Sequence, residues 1–344
     1  MLQTRDISLA EDALQDAFLN ASTAWAKNGK PKKESAWLLT VARRRLIDLI
    51  RKESHRSKES TLLSITETQT DKNEHEFEAG YPDERLRLIF ICCHPALAEN
   101  VRVPLTLKTL CGLSVREIAR AYLVSEHAME QRLTRAKRKI RDVGIAYKVP
   151  AGDALKERLD SVLSVVYLIY NESFSAFEGQ TLTREALANE AIRLVRLLHT
   201  LLPCPEVDGL LALLLLHDSR RLTRSSPEQA FIPLEHQDRS QWNQSLIKEG
   251  VSLALSSLAL GKPGVYQVQA AISSLHAVSP NWKATDWQQI QQLYDVLMQI
   301  EPSPVIELNK VMAIAYGGDT QTALDKLNEL EEPLKKYQPF YVAR

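Results

Sequence analysis

The chain is poor in the residues that build sheets and tight turns. Of its 344 residues only 12 are glycine, about half the usual share of roughly 7%. Isoleucine and valine together number 38 against 51 leucines. Sheets favour β-branched side chains and their turns need glycine, so this composition belongs to an all-α protein. Cysteine is scarce: Cys92, Cys93, Cys111 and Cys204 form no regular framework, which excludes a disulfide scaffold. Long apolar runs are also lacking, since the longest, Leu210 to Leu216, is far short of the ~20 residues that span a bilayer. No N-terminal stretch joins a basic patch to an apolar run and a small-residue cleavage site, so the expectation is a cytoplasmic protein without a membrane anchor. An excess of either charge is missing too: 43 basic residues face 43 acidic ones. What is present, 44% hydrophobic and 25% charged residues, suffices for a substantial core and excludes wholesale disorder.

The charge balance does not survive partition. Residues 1–148 carry a net charge of +6 and residues 149–344 a net of −6. Within the basic half, residues 37–58 hold seven bases and two acids, and residues 102–142 hold ten and four, separated by residues 61–85 with seven acids and two bases. The order is therefore basic block, acidic linker, basic block, acidic domain.

The first helix is expected to start at Ser8, with Glu11 reaching back in a capping box. Ala10, Leu14, Ala17, Phe18, Ala21 and Trp25 then make its apolar side, and Asp12, Gln15 and Asp16 share a polar face. Residues 27–33 carry Lys27, Lys30, Lys32 and Lys33 and read as a loop. A second helix over about 35–54 buries Leu38, Ala42, Leu46 and Leu49 and displays Arg43, Arg44, Arg51 and Lys52. Residues 55–80, rich in Ser, Thr and Glu, read as a flexible linker. The lysine loop beside Trp37 combines a cationic funnel with a stacking surface, which suits an unpaired base. The competing reading of Trp37 is core, and the average burial of tryptophan favours it.

After two further helices over 83–98 and 101–111, the clearest local signal follows. Ser114 to Glu117 is a capping box, Val115, Ile118, Ala119 and Tyr122 form a stripe, and Leu123 and Val124 provide a short apolar turn. A longer helix from Ser125 to about Asp142 then repeats Met129, Leu133, Ala136 and Ile140 on one side. Two helices so joined are a helix-turn-helix. The opposite face of the second helix presents His127, Gln131, Thr134 and Arg138, flanked by Glu130 and Arg135. Gln can bond adenine, Arg guanine and Glu cytosine, and a Thr methyl can touch thymine. Arg132, Lys137, Lys139 and Arg141 lie to the sides, placed for phosphates. Cys92, Cys93 and His94 with Cys111 offer thiolate and imidazole, but adjacent cysteines are not a zinc-knuckle spacing and the core reading is preferred.

These stretches carry a resemblance. Residues 9–18, residues 36–51, and residues 113–119 with 131–137 resemble regions two and four of the extracytoplasmic-function class of bacterial RNA polymerase sigma factors. Residues 81–97, 167–172 and 238–242 resemble the subgroup with a long C-terminal, tetratricopeptide-like extension. The resemblance covers nearly the whole chain and implies region two at 1–54, the linker at 55–81, region four at 82–147 and the extension at 148–344. It implies two partners, core RNA polymerase and promoter DNA, with no cofactor, metal or catalytic residue. Asp12, Gln15 and Asp16 match the helix that docks on the polymerase clamp. Lys27, Lys30, Lys32, Lys33, Trp37, Arg43, Arg44 and Arg51 match the surface holding the melted −10 element. Glu130, Gln131, Arg132, Thr134, Arg135 and Arg138 fall where the family meets the −35 element. Two departures stand out: only eight residues precede Leu9, where the family has another helix, and Glu130 replaces a basic residue of many relatives, which is expected to shift promoter preference.

The acidic half reads as helix pairs, with the best tetratricopeptide-like unit at residues 305–330 around Gly317, Gly318 and Asp319. It lacks a phosphate-cradling glycine loop and a nucleophile elbow, and its histidines have no ligand spacing, so no enzyme is expected. A −6 extension beside a +6 half leads us to expect that the extension folds against the sigma-like regions or docks on polymerase and gates activity. The alternative is a conventional helix-turn-helix regulator whose helical repeats sense a partner.

Overall fold

The computed structural model describes residues 6–57, 81–122, 124–145, 148–150, 152–173, 181–224, 232–335 and 337–343. Among these residues there are helices and no strands. The chain divides into two compact units, residues 1–165 and 166–344.

In the first unit, α1 (Ile7–Asn28) and α2 (Glu34–Ser57) pair as a hairpin. The start of α1 differs from the expected capping box. Its cap is Asp6, whose carboxylate accepts from the Ser8 and Leu9 amides at 2.8 and 3.3 Å, which leaves Glu11 for another partner. The helix also runs through Lys27 and Asn28 and is stopped by Gly29 at φ +77°, a left-handed conformation glycine adopts without strain, so the loop is only residues 29–33. α3 (Tyr81–Cys92), α4 (Glu99–Thr109), α5 (Val115–Ala121) and α6 (Glu126–Asp142) follow. The expected break at Glu99 and Asn100 instead lies before them, because both belong to α4. Cys92 and Cys93 are fully buried among Ile89, Phe90, Leu105 and Leu107, as the core reading required. Desolvation raises both thiols, Cys93 to about 12, so neither supplies a thiolate. Of the linker expected at 55–80, residues 55–57 continue α2 and residues 58–80 lie outside the described residues, as does the apolar turn residue Leu123.

α7 (Asp153–Glu172) starts in this first unit, where Arg158 donates to the Phe90 carbonyl at 2.9 Å and Ser161 to that of Cys93 at 3.2 Å.

The second unit is organised by α9 (Pro205–Asp218), whose leucine run is buried all round, as a helix without a polar face must be. It packs on α8 (Thr181–Leu201), α10 (Gln244–Leu258) and α11 (Val265–Val278). Gly209 permits the closest approach, because a Cβ there would lie 2.6 Å from the Gln267 nitrogen of α11. Glu206 caps α11 from α9, accepting from the Tyr266 amide at 2.8 Å, a carboxylate at the positive end of a helix. α12 (Trp287–Ile300), α13 (Pro304–Tyr316), α14 (Thr320–Glu329) and α15 (Glu331–Leu334) pack in succession, and Phe340 of α16 (Gln338–Ala343) joins the buried cluster of Leu308, Val311 and Leu327. The unit at 305–330 is the helix, glycine turn and helix expected there, with Gly318 at φ +103° and Asp319 capping α14 through the Thr322 amide at 3.1 Å.

Candidate nucleic-acid and polymerase interface

α1 presents an unusual outer face. Ile7, Ala13, Ala17 and Ala21 are buried, whereas Leu14, Phe18 and Leu19, expected in part to be core, are 41%, 54% and 67% exposed. Small side chains form the buried seam, and the larger apolar groups turn outward beside exposed Asp12 and Gln15. Asp16 is separated from that pair: it accepts from Arg45 Nε of α2 at 2.5 Å, and this bond raises the Arg45 pKa. The sequence-predicted triad is thus two exposed groups and one that braces the hairpin.

Next to this face, Lys27, Lys30, Lys32 and Lys33 are all exposed, with Lys30 3.5 Å from Glu34. Trp37 is half-buried against Trp25, ring centroids 5.5 Å apart, which favours the packing role over an open platform. Arg43, Arg44, Arg51 and Lys52 are exposed along α2. Of the four residues expected to be buried on α2, only Leu46 is fully so.

The helix-turn-helix closes as its sequence dictates. Ser114 and Glu117 cap reciprocally, the Ser114 amide donating to Glu117 Oε2 at 2.7 Å and the Glu117 amide to Ser114 Oγ at 3.2 Å. Ser125 caps α6 through the Ala128 amide at 3.2 Å. Met129, Leu133, Ala136 and Ile140 are buried, and Glu130, Gln131, Thr134, Arg135 and Arg138 are exposed on the far side. Gln131 Nε2 lies 2.8 Å from His127 Nε2. Arg132 is half-buried at the flank.

Two of the flanking bases expected to meet phosphates are ion-paired with α1. Lys137 pairs with Glu11, and Arg141 reaches Asp6 at 3.2 Å, so the side of α6 is tied to the first two turns of α1. The bond to Asp6 raises the Arg141 pKa. Sequence reasoning missed these pairs because nothing local links residues 126 and 135 positions apart.

Taken together, an apolar and acidic helix face, exposed cations on α1–α2 and a capped reading helix can engage both a protein and a polyanion. The chain matches three family models: sigma-70 region 2 over residues 2–56, sigma-70 region 4 over residues 87–140, and a family of unknown function, DUF6596, over residues 158–258. The chain belongs to the sigma-70 family. This sigma factor is of the extracytoplasmic-function-like kind with a C-terminal extension. It is 40% identical to an uncharacterized protein of Rhizobium meliloti (strain 1021), a match covering 97% of this chain and 80% of the relative. No solved structure matches it. As a sigma factor it serves transcription initiation and interacts with core RNA polymerase and promoter DNA, and its family is not an enzyme class. The region 2 match decides against a conventional helix-turn-helix regulator. No helix among the described residues is long and apolar enough to cross a membrane.

Proposed function

We propose that α6 reads the −35 element through Gln131, Thr134 and Arg135, with Glu130, Arg132 and Arg138 at its margins. In the same reading the α1 face of Asp12, Gln15, Leu14 and Phe18 docks on the polymerase. Asp16 acts one step back, holding α2 in register through Arg45. The lysine loop with Arg43, Arg44 and Arg51 holds the melted −10 strand, and Trp37 supports it from its packed position. The observation that carries this reading is the complete inward burial of Met129, Leu133, Ala136 and Ile140, which commits the polar face of α6 to the outside. Run-off transcription with core polymerase tests it: Gln131→Ala and Arg135→Ala lower output from the cognate promoter without loss of polymerase co-elution. Equal output would remove the assignment.

For the extension, the reading is control of sigma activity through contact with the sigma regions or with polymerase, motivated by the opposite charges of the two halves. The domain bounds 1–54, 82–147 and 148–344 belong to this proposal. Because the first half of α7 hydrogen-bonds to the Phe90 and Cys93 carbonyls, a truncation that tests it ends after Glu172 rather than before α7. Output changed by the truncation supports control, and unchanged output excludes it.

A further inference from the structure

Three arginines of the second unit, Arg220, Arg224 and Arg239, gather around the end of α9. Arg220 follows directly after the C-terminus of α9 and lines a cleft with His217, Trp242, Ser273, His276 and Leu216. The room is about 20 Å³, enough for one water-sized group such as a single anionic oxygen. Arg224 and Arg239 crowd Arg220, and desolvation with their repulsion lowers its pKa to about 9. The neighbouring carboxylate, Asp218, is taken by Arg221, whose Nε donates to it at 2.7 Å. No described carboxylate pairs with Arg220.

The walls are built and held. Arg239 is fixed by donation to the Ser279 carbonyl at 2.7 Å and lies 4.7 Å over the Trp242 ring. Trp242 Nε1 in turn donates to Thr223 Oγ1 at 3.0 Å. His217 Nε2 is 3.2 Å from Ser273 Oγ, and His276 stacks on Trp282 with Nδ1 buried and without a partner among the described residues. Both imidazoles are neutral at ordinary pH, because burial and the nearby guanidiniums lower His276 to about 4 and His217 well below its usual value.

Arg220 is half-buried and partly desolvated with no carboxylate partner among the described residues, a cost that a bound anion would offset. A guanidinium in a site walled by indole and imidazole is suited to a planar or multi-oxygen head group. We propose that this cleft binds the anionic head of a small-molecule ligand, a carboxylate or phosphoryl group, with Arg220 as the ion-pairing residue and Ser273 and His276 as neutral flanking groups. The site stands whether or not the extension controls transcription.

The test uses the full chain, with melting temperature and isothermal titration measured in sodium phosphate, sodium acetate and sodium chloride at matched ionic strength. A saturating ligand that binds only the folded state is expected to raise the transition by ~2–5 °C over chloride. Phosphate alone doing so identifies a phosphoryl ligand, acetate alone a carboxylate, and both the shared head. Arg220→Met, which keeps the volume and removes the charge, is expected to lose at least about tenfold in affinity while melting no lower than the parent in chloride, since it relieves an unpaired, half-buried charge. Should Arg220→Met lack a cooperative transition, Ser273→Ala is measured instead, with an expected loss of about three- to tenfold. Neither anion exceeding chloride, or an effect undiminished in these variants, overturns the proposal.

Discussion

The two units put their arginines to opposite uses. On α2 and α6, Arg43, Arg44, Arg135 and Arg138 stand exposed on helix faces whose other sides are apolar. In the second unit Arg220, Arg224 and Arg239 gather around the end of α9, and burial lowers the pKa of each. The same side chain is therefore a phosphate-seeking group in one unit and a partly desolvated charge in the other. Net charge conceals this twice: the chain sums to zero, and the half with a net of −6 gathers three half-buried arginines at the end of α9. Surface patterning tells which unit meets DNA, whereas the interior tells which one is built to receive a small anion.

The largest test of this contrast is at α6. Arg135→Ala is expected to cost about 1–3 kcal/mol of promoter discrimination if the guanidinium contacts a base edge, measured as holoenzyme affinity for cognate against mutated −35 sequences. Next is the exposed face of α1. Phe18→Ser is expected to weaken polymerase binding by about 1–2 kcal/mol in competition with the parent chain, with little change in melting, because the ring is 54% exposed in the free protein.

A smaller effect separates the units by pH. The unfolded chain protonates its histidines near pH 6.5, whereas folded His276 does so only at about 4 and burial holds folded His217 well below its usual value. Unfolded chain therefore binds protons that the folded one refuses, and stability falls as pH drops from about 6.5 towards 5. Above pH 6.5 these groups contribute no slope. Calorimetry across that window should show the effect in the second unit, and His276→Gln should flatten it. The smallest expected effect is at the α1–α6 tie. Glu11→Gln should cost at most about 1 kcal/mol, diminishing with added salt, because Glu11 and Lys137 are only partly buried.

Much of this arrangement is legible in the residues. The reciprocal cap of Ser114 and Glu117 and the four-residue stripe from Met129 to Ile140 are local signals, and they formed as read. On α1 the same periodicity misled: Leu14 and Phe18 are apolar at helical spacing, but the smaller Ala13 and Ala17 took the seam against α2. Period identifies a helix with a face; which face is buried depends on the partner helix. Asp6 was passed over as a cap because Ser8 and Glu11 match a stronger pattern, and only the long-range pull of Lys137 removes Glu11 from it. The cleft at Arg220 was beyond sequence reasoning altogether. Its members come from the end of α9, from α11 and from the turn before α10, and the one hint was Arg220, Arg221 and Arg224 clustered after an all-apolar helix.

The contrast between the units is tested most directly by the salt dependence of promoter binding by the holoenzyme, parent chain against Arg138→Ala and Arg220→Met. With an exposed cation on the reading helix and a half-buried one in the extension, Arg138→Ala is expected to lower the slope of log affinity against log salt by about 0.9, the release of one counter-ion, and Arg220→Met to leave it unchanged. An unchanged slope for Arg138→Ala, or an equal fall for Arg220→Met, would contradict the account.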